Sequence, residues 1–232
     1  MKSYFVTLGF NESFLLRLLA ETNAAQDDRL VIVVPRPMAE GTRNALENVK
    51  AQAVRLKYPT PEVREIGLDS FESALFEVVS ALIPLKEPII TDLSMGMRMV
   101  DALILVSLLV TGKQFRVYLR EETTGRPVSF SSQDLRALLN DYSGEDLKLL
   151  SALSSSPMRL EDLAKAVGRS EKTVMNRISE LKRLGLIRVT GKDRQVELTG
   201  LGKVLLTARG ILQVDKQGTG YEGLTKLKEK SI

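Results

Sequence analysis

Two short stretches of this sequence carry the residue types of an anion site. Ser94-Met95-Gly96-Met97-Arg98 follows an apolar run and opens a helical one. Gly96 lets main chain approach a ligand closely. The helix start offers unbonded N–H groups and a positive dipole end, and Arg98 adds a fixed charge. That combination suits a phosphate or the polar edge of a base. Leu8-Gly9-Phe10-Asn11 stands in the same kind of place, after the first apolar run. A third set lies far downstream. Arg169, Ser170, Lys172, Thr173, Asn176 and Arg177 surround one helix pattern, and Lys192 and Arg194 occupy the nearby turn Gly191-Lys192-Asp193-Arg194. Thr173, Asn176 and Arg177 have the donors and acceptors that read base edges; Lys172, Lys192 and Arg194 have the charge that meets phosphates. Plainer alternatives stand beside these readings: a capping Ser and a turn Gly in the first stretch, a solvated helix face in the third. Arg36 reads as a solvated or ion-paired residue, and Asp92 and Asp101 suit capping or polar packing better than catalysis.

The composition narrows the chemistry. Among 232 residues there is no Cys and no His. Thiolate zinc sites, cysteine nucleophiles, Ser-His triads and His-metal sites are excluded, and any metal would need carboxylates alone. No G-x-G-x-x-G follows the first strand pattern, and Gly112-Lys113 is followed by Gln114, so it is no Walker A loop. No catalytic residue, metal or cofactor is expected. From Ser143 onward there are 17 Lys and Arg against 11 Asp and Glu, within a whole-chain charge of +4. The basic part is therefore the C-terminal one, where a polyanion is a plausible partner. Met1-Lys2-Ser3 runs straight into a strand pattern, and the apolar run Met99–Val110 is too short for a bilayer and contains Asp101. A soluble cytoplasmic protein is expected.

These residues need elements to position them. Apolar runs at 4–8, 30–34, 63–68, 88–92 and 115–119 alternate with helical stretches at 14–21, 43–57, 70–82 and 97–110. Leu30-Val31-Ile32-Val33-Val34 has no polar alternation, as in a strand buried on both faces. Strand–helix alternation with short connections predicts an α/β fold: a Rossmann-like, doubly wound, mostly parallel sheet over 1–130, closed by 127–130 as an edge strand. Such sheets bind ligands at the carboxyl ends of their strands, which is where both loops fall. A connector with one short helix pattern is expected over 131–142, a second domain over 143–216, and a loose Gly- and Lys-rich tail over 217–232.

The second domain has its own rhythm. Ser143 caps a helix with Asp146 three residues on, and Leu147, Leu150 and Leu153 give that helix an apolar face. Leu160, Leu163, Ala164 and Val167 make the stripe of a second helix. Gly168-Arg169-Ser170 is a tight turn; Ser170 caps a third helix with Val174, Ile178 and Leu181 facing inward, and Gly185 ends it. Strand patterns at 187–190 and 195–199 then flank the basic turn. This order predicts a winged helix-turn-helix that binds DNA. It resembles winged-helix regulators of the MarR and ArsR kind.

Taken together, the Rossmann-like domain, the loop after its fourth strand and the C-terminal winged helix resemble the CRISPR-associated Rossmann-fold (CARF) transcription regulators of archaeal type I-A systems. The family's second motif, a Gly-Gly pair, a small residue and then Lys or Arg, falls on Ser94-Met95-Gly96-Met97-Arg98, with Met95 in place of the first Gly and Met97 in place of the small residue. Its first motif falls on Leu8-Gly9-Phe10-Asn11. The resemblance implies a homodimer that binds a cyclic oligoadenylate, chiefly cyclic tetra-adenylate, on its two-fold axis and controls CRISPR-associated promoters through double-stranded DNA. Two further readings stay open: a ring nuclease that cleaves its cyclic ligand, and a winged-helix adaptor that binds protein.

Overall fold

Unbroken apolar runs make the central strands. In this computed structural model, which describes residues 1–121, 123–191 and 194–212, every residue of β1 (Ser3–Thr7) is buried, as is every residue of β4 (Ile89–Asp92). β2 (Arg29–Pro35) is buried from Leu30 to Val34. With β3 (Pro61–Ile66), β5 (Phe115–Arg120) and β6 (Pro127–Ser131) they form a six-stranded sheet of order β3-β2-β1-β4-β5-β6. The first five strands are parallel and the edge strand β6 is antiparallel to β5. β1 takes β2 on one side and β4 on the other, at Ser3–Arg29 and Ser3–Ile89, so the chain reverses its winding there. The topological switch point lies between the carboxyl ends of β1 and β4. The Rossmann-like sheet is thus as the apolar runs predict.

Side-chain alternation sorts the helices. Tyr4, Val6, Leu30, Ile32, Val34 and Ile90 pack with Leu15, Leu18 and Leu19 of α1 (Ser13–Glu21) and Ala45, Leu46 and Val49 of α2 (Glu40–Leu56). The other sheet face meets α3 (Phe71–Leu82) and α4 (Arg98–Thr111), with α4 lying on β1 and β2 and against α3. α2 begins three residues before the start its apolar pattern suggests.

The chain divides after Ser132 into two compact units. The stretch 131–142, expected as a connector, holds α5 (Ser132–Leu139), whose Ala137 is buried in the core of the second unit. That unit continues with α6 (Gly144–Ala152), α7 (Leu160–Val167), α8 (Glu171–Arg183), the hairpin β7 (Ile187–Thr190) and β8 (Gln195–Leu198), and α9 (Gly200–Ala208). It is a winged helix-turn-helix. Ser143 and Asp146 form a reciprocal capping box on α6, and Ser170 caps α8. Gly168 ends α7 at φ +67°, a left-handed geometry that lets the chain turn at once into α8. On α6 the core side is Leu149, Leu150 and Leu153; Leu147, expected there, is only half-buried. Among the described residues no helix is long and apolar enough to cross a membrane, and no His, Cys, Asp and Glu cluster is placed to hold a metal ion. The expected tail at 217–232 lies outside the described residues.

Candidate functional site

The two N-terminal loops meet at the switch point. Gly9 lies so close to the second loop that a Cβ there would stand 2.5 Å from the Met95 carbonyl oxygen. A Cβ on Gly96 would overlap the Thr7 side chain. Two glycines therefore allow main chain to pass main chain between β1 and β4. Leu8 and Met95 are buried and anchor the loops; Met95 joins the core under α1 and α2. Phe10 is 76% exposed and lies over Gly41, in the first turn of α2. Asn11 accepts the Ser13 N–H through Oδ1 at 2.8 Å and so shapes the turn into α1.

Ser94 does not cap α4. Its Oγ accepts the Arg120 backbone N–H at 2.6 Å, which ties the loop to β5, and its own N–H donates to Asp92. The N-cap of α4 is Met97, which supplies no side-chain hydrogen bond. The N–H groups of the first turn therefore keep their hydrogen-bonding capacity toward the crevice. Met97 and Arg98 are exposed, and among the described residues Arg98 has no hydrogen-bond or ion-pair partner. What the site offers a ligand is main-chain donors, a helix dipole and one guanidinium.

Beneath it lies a buried ionic network that sequence spacing did not show. Arg120, its side chain fully buried, donates from Nε to Asp92 Oδ2 at 2.6 Å and from the guanidinium end to Glu21 Oε2 at 2.7 Å. The Arg120 hydrogen bond holds the Glu21 carboxyl below its ordinary range. Burial pushes the Asp92 carboxyl up, with Arg120 pulling it back. Asp101, in the first turn of α4, has no such partner. Burial, with Asp92 nearby, pushes its carboxyl up to about 7. Its Oδ1 and the hydroxyls of Thr7 and Thr91 are buried without hydrogen-bond partners among the described residues. Arg36, read as ion-paired or solvated, pairs with Glu77 at 3.3 Å.

In the second unit the sequence-predicted residues separate. Lys172 and Asn176 are exposed and, among the described residues, unpaired. Thr173 is exposed, but its hydroxyl shares a hydrogen bond of 2.9 Å with Ser170, whose Oγ also caps α8. Arg177 turns toward α6: it lies 3.6 Å from Asp146 and 3.5 Å from Glu180. At 3.6 residues per turn it stands roughly 140° around α8 from Lys172. Arg169 pairs with Glu145. A cleft of about 250 Å³ between α6 and α8 is lined by Glu145, Lys148, Arg169, Thr173 and Arg177. Arg194 is exposed in the hairpin turn at φ +49°. Lys192 lies outside the described residues.

A Rossmann-like domain with two loops meeting at its switch point, followed by a winged helix, defines a two-domain class. Comparison with known proteins gives the family. The Csa3 CRISPR-associated Rossmann-like domain matches residues 2–131, and a second domain family, HVO_A0114, matches residues 141–199. The chain is 47% identical over its whole length to a protein of Saccharolobus solfataricus named as a CRISPR locus-related DNA-binding protein, Csa3, and covers 99% of it. The chain belongs to the Csa3 family. Solved structures with similarity are more distant. Enterococcus italicus Csm6, bound to a cyclic hexanucleotide analogue, is 12% identical with a TM-score of 0.46, over 80% of this chain and 52% of that one. Can2 of Sulfobacillus thermosulfidooxidans, in complex with cyclic tetra-adenylate, is 8% identical with a TM-score of 0.41, over 92% and 58%. The winged-helix domain Mb0332 of Mycobacterium bovis is 21% identical with a TM-score of 0.29, over 34% and 75%.

Proposed function

We propose that this protein is a ligand-responsive transcription regulator of CRISPR-associated genes. Its first unit takes a cyclic oligoadenylate, in particular cyclic tetra-adenylate, and its second unit takes promoter DNA. The observation that carries the reading is the uncapped N-terminus of α4, with Arg98 beside it, at the switch point of a Csa3-family chain. Unbonded N–H groups at a helix start suit phosphate. The family relative named for DNA binding and the basic face of α8 support the second half.

The functional unit is a homodimer. Met99, Ala102, Leu109 and Val110 make an exposed apolar stripe along α4, beside a groove of about 410 Å³ between α3 and α4. A second copy would cover that stripe. A ring of four repeats has a two-fold axis that can coincide with the dimer's own. In this reading the bound ring acts as a signal.

Titration of the full chain with cyclic tetra-adenylate, with and without promoter duplex, tests this. Binding should occur at one ring per dimer and should change affinity for the duplex. Arg98→Ala should weaken ring binding by about 1.5–3 kcal/mol, the worth of a charge-assisted contact, at unchanged melting temperature. An unchanged ring affinity removes Arg98 from the site. Linear products after incubation would replace the regulator reading with a ring nuclease.

A further inference from the structure

The exposed face of α8 contains a residue that neither the charge pattern nor the helix-turn-helix reading accounts for. Val174, Ile178 and Leu181 are buried, as an amphipathic helix requires. Met175 is 52% exposed. It stands on one stripe with Lys172, Asn176 and Ser179, all exposed and spaced as neighbours on a single helix face. Several polar side chains beside them are occupied. The Thr173 hydroxyl is shared with Ser170, Arg177 is held by Asp146 and Glu180, and Ser179 Oγ donates back to the Met175 carbonyl at 3.0 Å. In the first turns of α8 the stripe therefore presents one cation, Lys172, one amide and one apolar side chain, with Lys182 and Arg183 following at the C-terminal end of the same face.

The distinctive apolar feature of the major groove is the thymine methyl; the polar base-edge groups there are donors and acceptors. We propose that Met175 is a specificity-determining residue that reads a thymine methyl, in the base pair next to one read by Asn176. The proposal rests on the DNA-binding reading above. The flexible, polarizable thioether can follow a methyl without a fixed rotamer. Asn176, one residue on, has the amide that pairs bidentately with adenine. The half-site should thus contain adjacent A·T pairs.

The test uses the full chain and the duplex that it selects from a random pool. Each thymine is replaced in turn by deoxyuracil, which removes the methyl and nothing else. The protein should lose affinity about four-fold at one thymine per half-site, the worth of one methyl kept from water. Met175→Ala should bind the all-thymine duplex as weakly as the unaltered protein binds the deoxyuracil duplex, and should ignore the substitution. Met175→Leu, which keeps an apolar side chain of similar reach, should stay sensitive. A deoxyuracil penalty that persists in Met175→Ala overturns the proposal, as does the absence of any methyl-sensitive thymine in the selected site. Retention of no duplex at all would instead remove the DNA-binding reading beneath it.

Discussion

The switch-point crevice and the face of α8 are built on opposite plans. At the switch point three loop side chains are spent on the fold: Ser94 on Arg120, Asn11 on Ser13, Asp92 on Arg120. What remains exposed there is main chain and the Arg98 guanidinium, shaped by Gly9 and Gly96 and backed by a buried ionic network. On α8 the fold is held from the inner side and the flanks, and Lys172, Met175 and Asn176 are left outward with nothing to hold. The first plan yields a rigid cradle whose strength depends on its supports. The second yields a set of independent exposed side chains, each replaceable at small cost to stability.

The largest expected effect comes from breaking the support. Arg120→Ala leaves Asp92 buried and unpaired, which costs about 3–5 kcal/mol of stability. Chemical denaturation should read it as a lower midpoint at unchanged slope. A loss below about 1 kcal/mol would mean that the network is not what holds the loop.

Asp101 should act in the reverse direction. An unfolded aspartate titrates near 4, whereas burial raises this one to about 7 in the folded chain. Between those values the folded state binds more protons than the unfolded, so the contribution of Asp101 to stability falls as pH rises through that window. Above about 7 the carboxylate is charged and buried at full cost. Asp101→Asn should therefore change little near pH 4 and stabilise by about 2–4 kcal/mol near pH 8. Melting curves at the two pH values check this, and an equal shift at both would show that Asp101 does not titrate in the window.

The smallest effects should come from the outward residues, and should be separable. Asn176→Ala is expected to relax discrimination at one base position per half-site by about 1–3 kcal/mol. Arg194→Ala should weaken binding to every sequence alike and lower the salt slope by about one. Neither should move the melting temperature by an amount comparable with Arg120→Ala. If either does, the two plans are less distinct than their contacts make them.

Much of this was legible in the residues themselves. Strands buried on both faces must be apolar throughout, so Leu30–Val34 announces a parallel sheet without help from its neighbours. The caps at Ser143 and Ser170 and the stop at Gly168 are local chemistry, and local chemistry is written in order. The two loops were found because doubly wound sheets put their sites at strand ends. Contacts across long separations were hidden. Arg120 closes a strand that reads as an ordinary edge of the apolar pattern, and nothing in spacing joins it to Asp92 or to Glu21, 99 residues away. The basic helix pattern makes Arg177 a base-reading candidate; its position toward Asp146 depends on how α6 packs, which helix periodicity does not contain. Ser94 has the residue type of a cap and a different task.

The glycine crossing at Gly9 and Gly96 has a consequence for how this kind of protein changes over generations. A cradle of peptide groups places few demands on the letters that compose it, provided that the crossing stays narrow and the supports stay charged. Met95 is buried and Met97 exposed, so of the two methionines in the loop only the first is tied to the core. Substitutions in this loop should therefore be tolerated where they leave the crossing narrow, and the quantity to preserve is a distance between two turns.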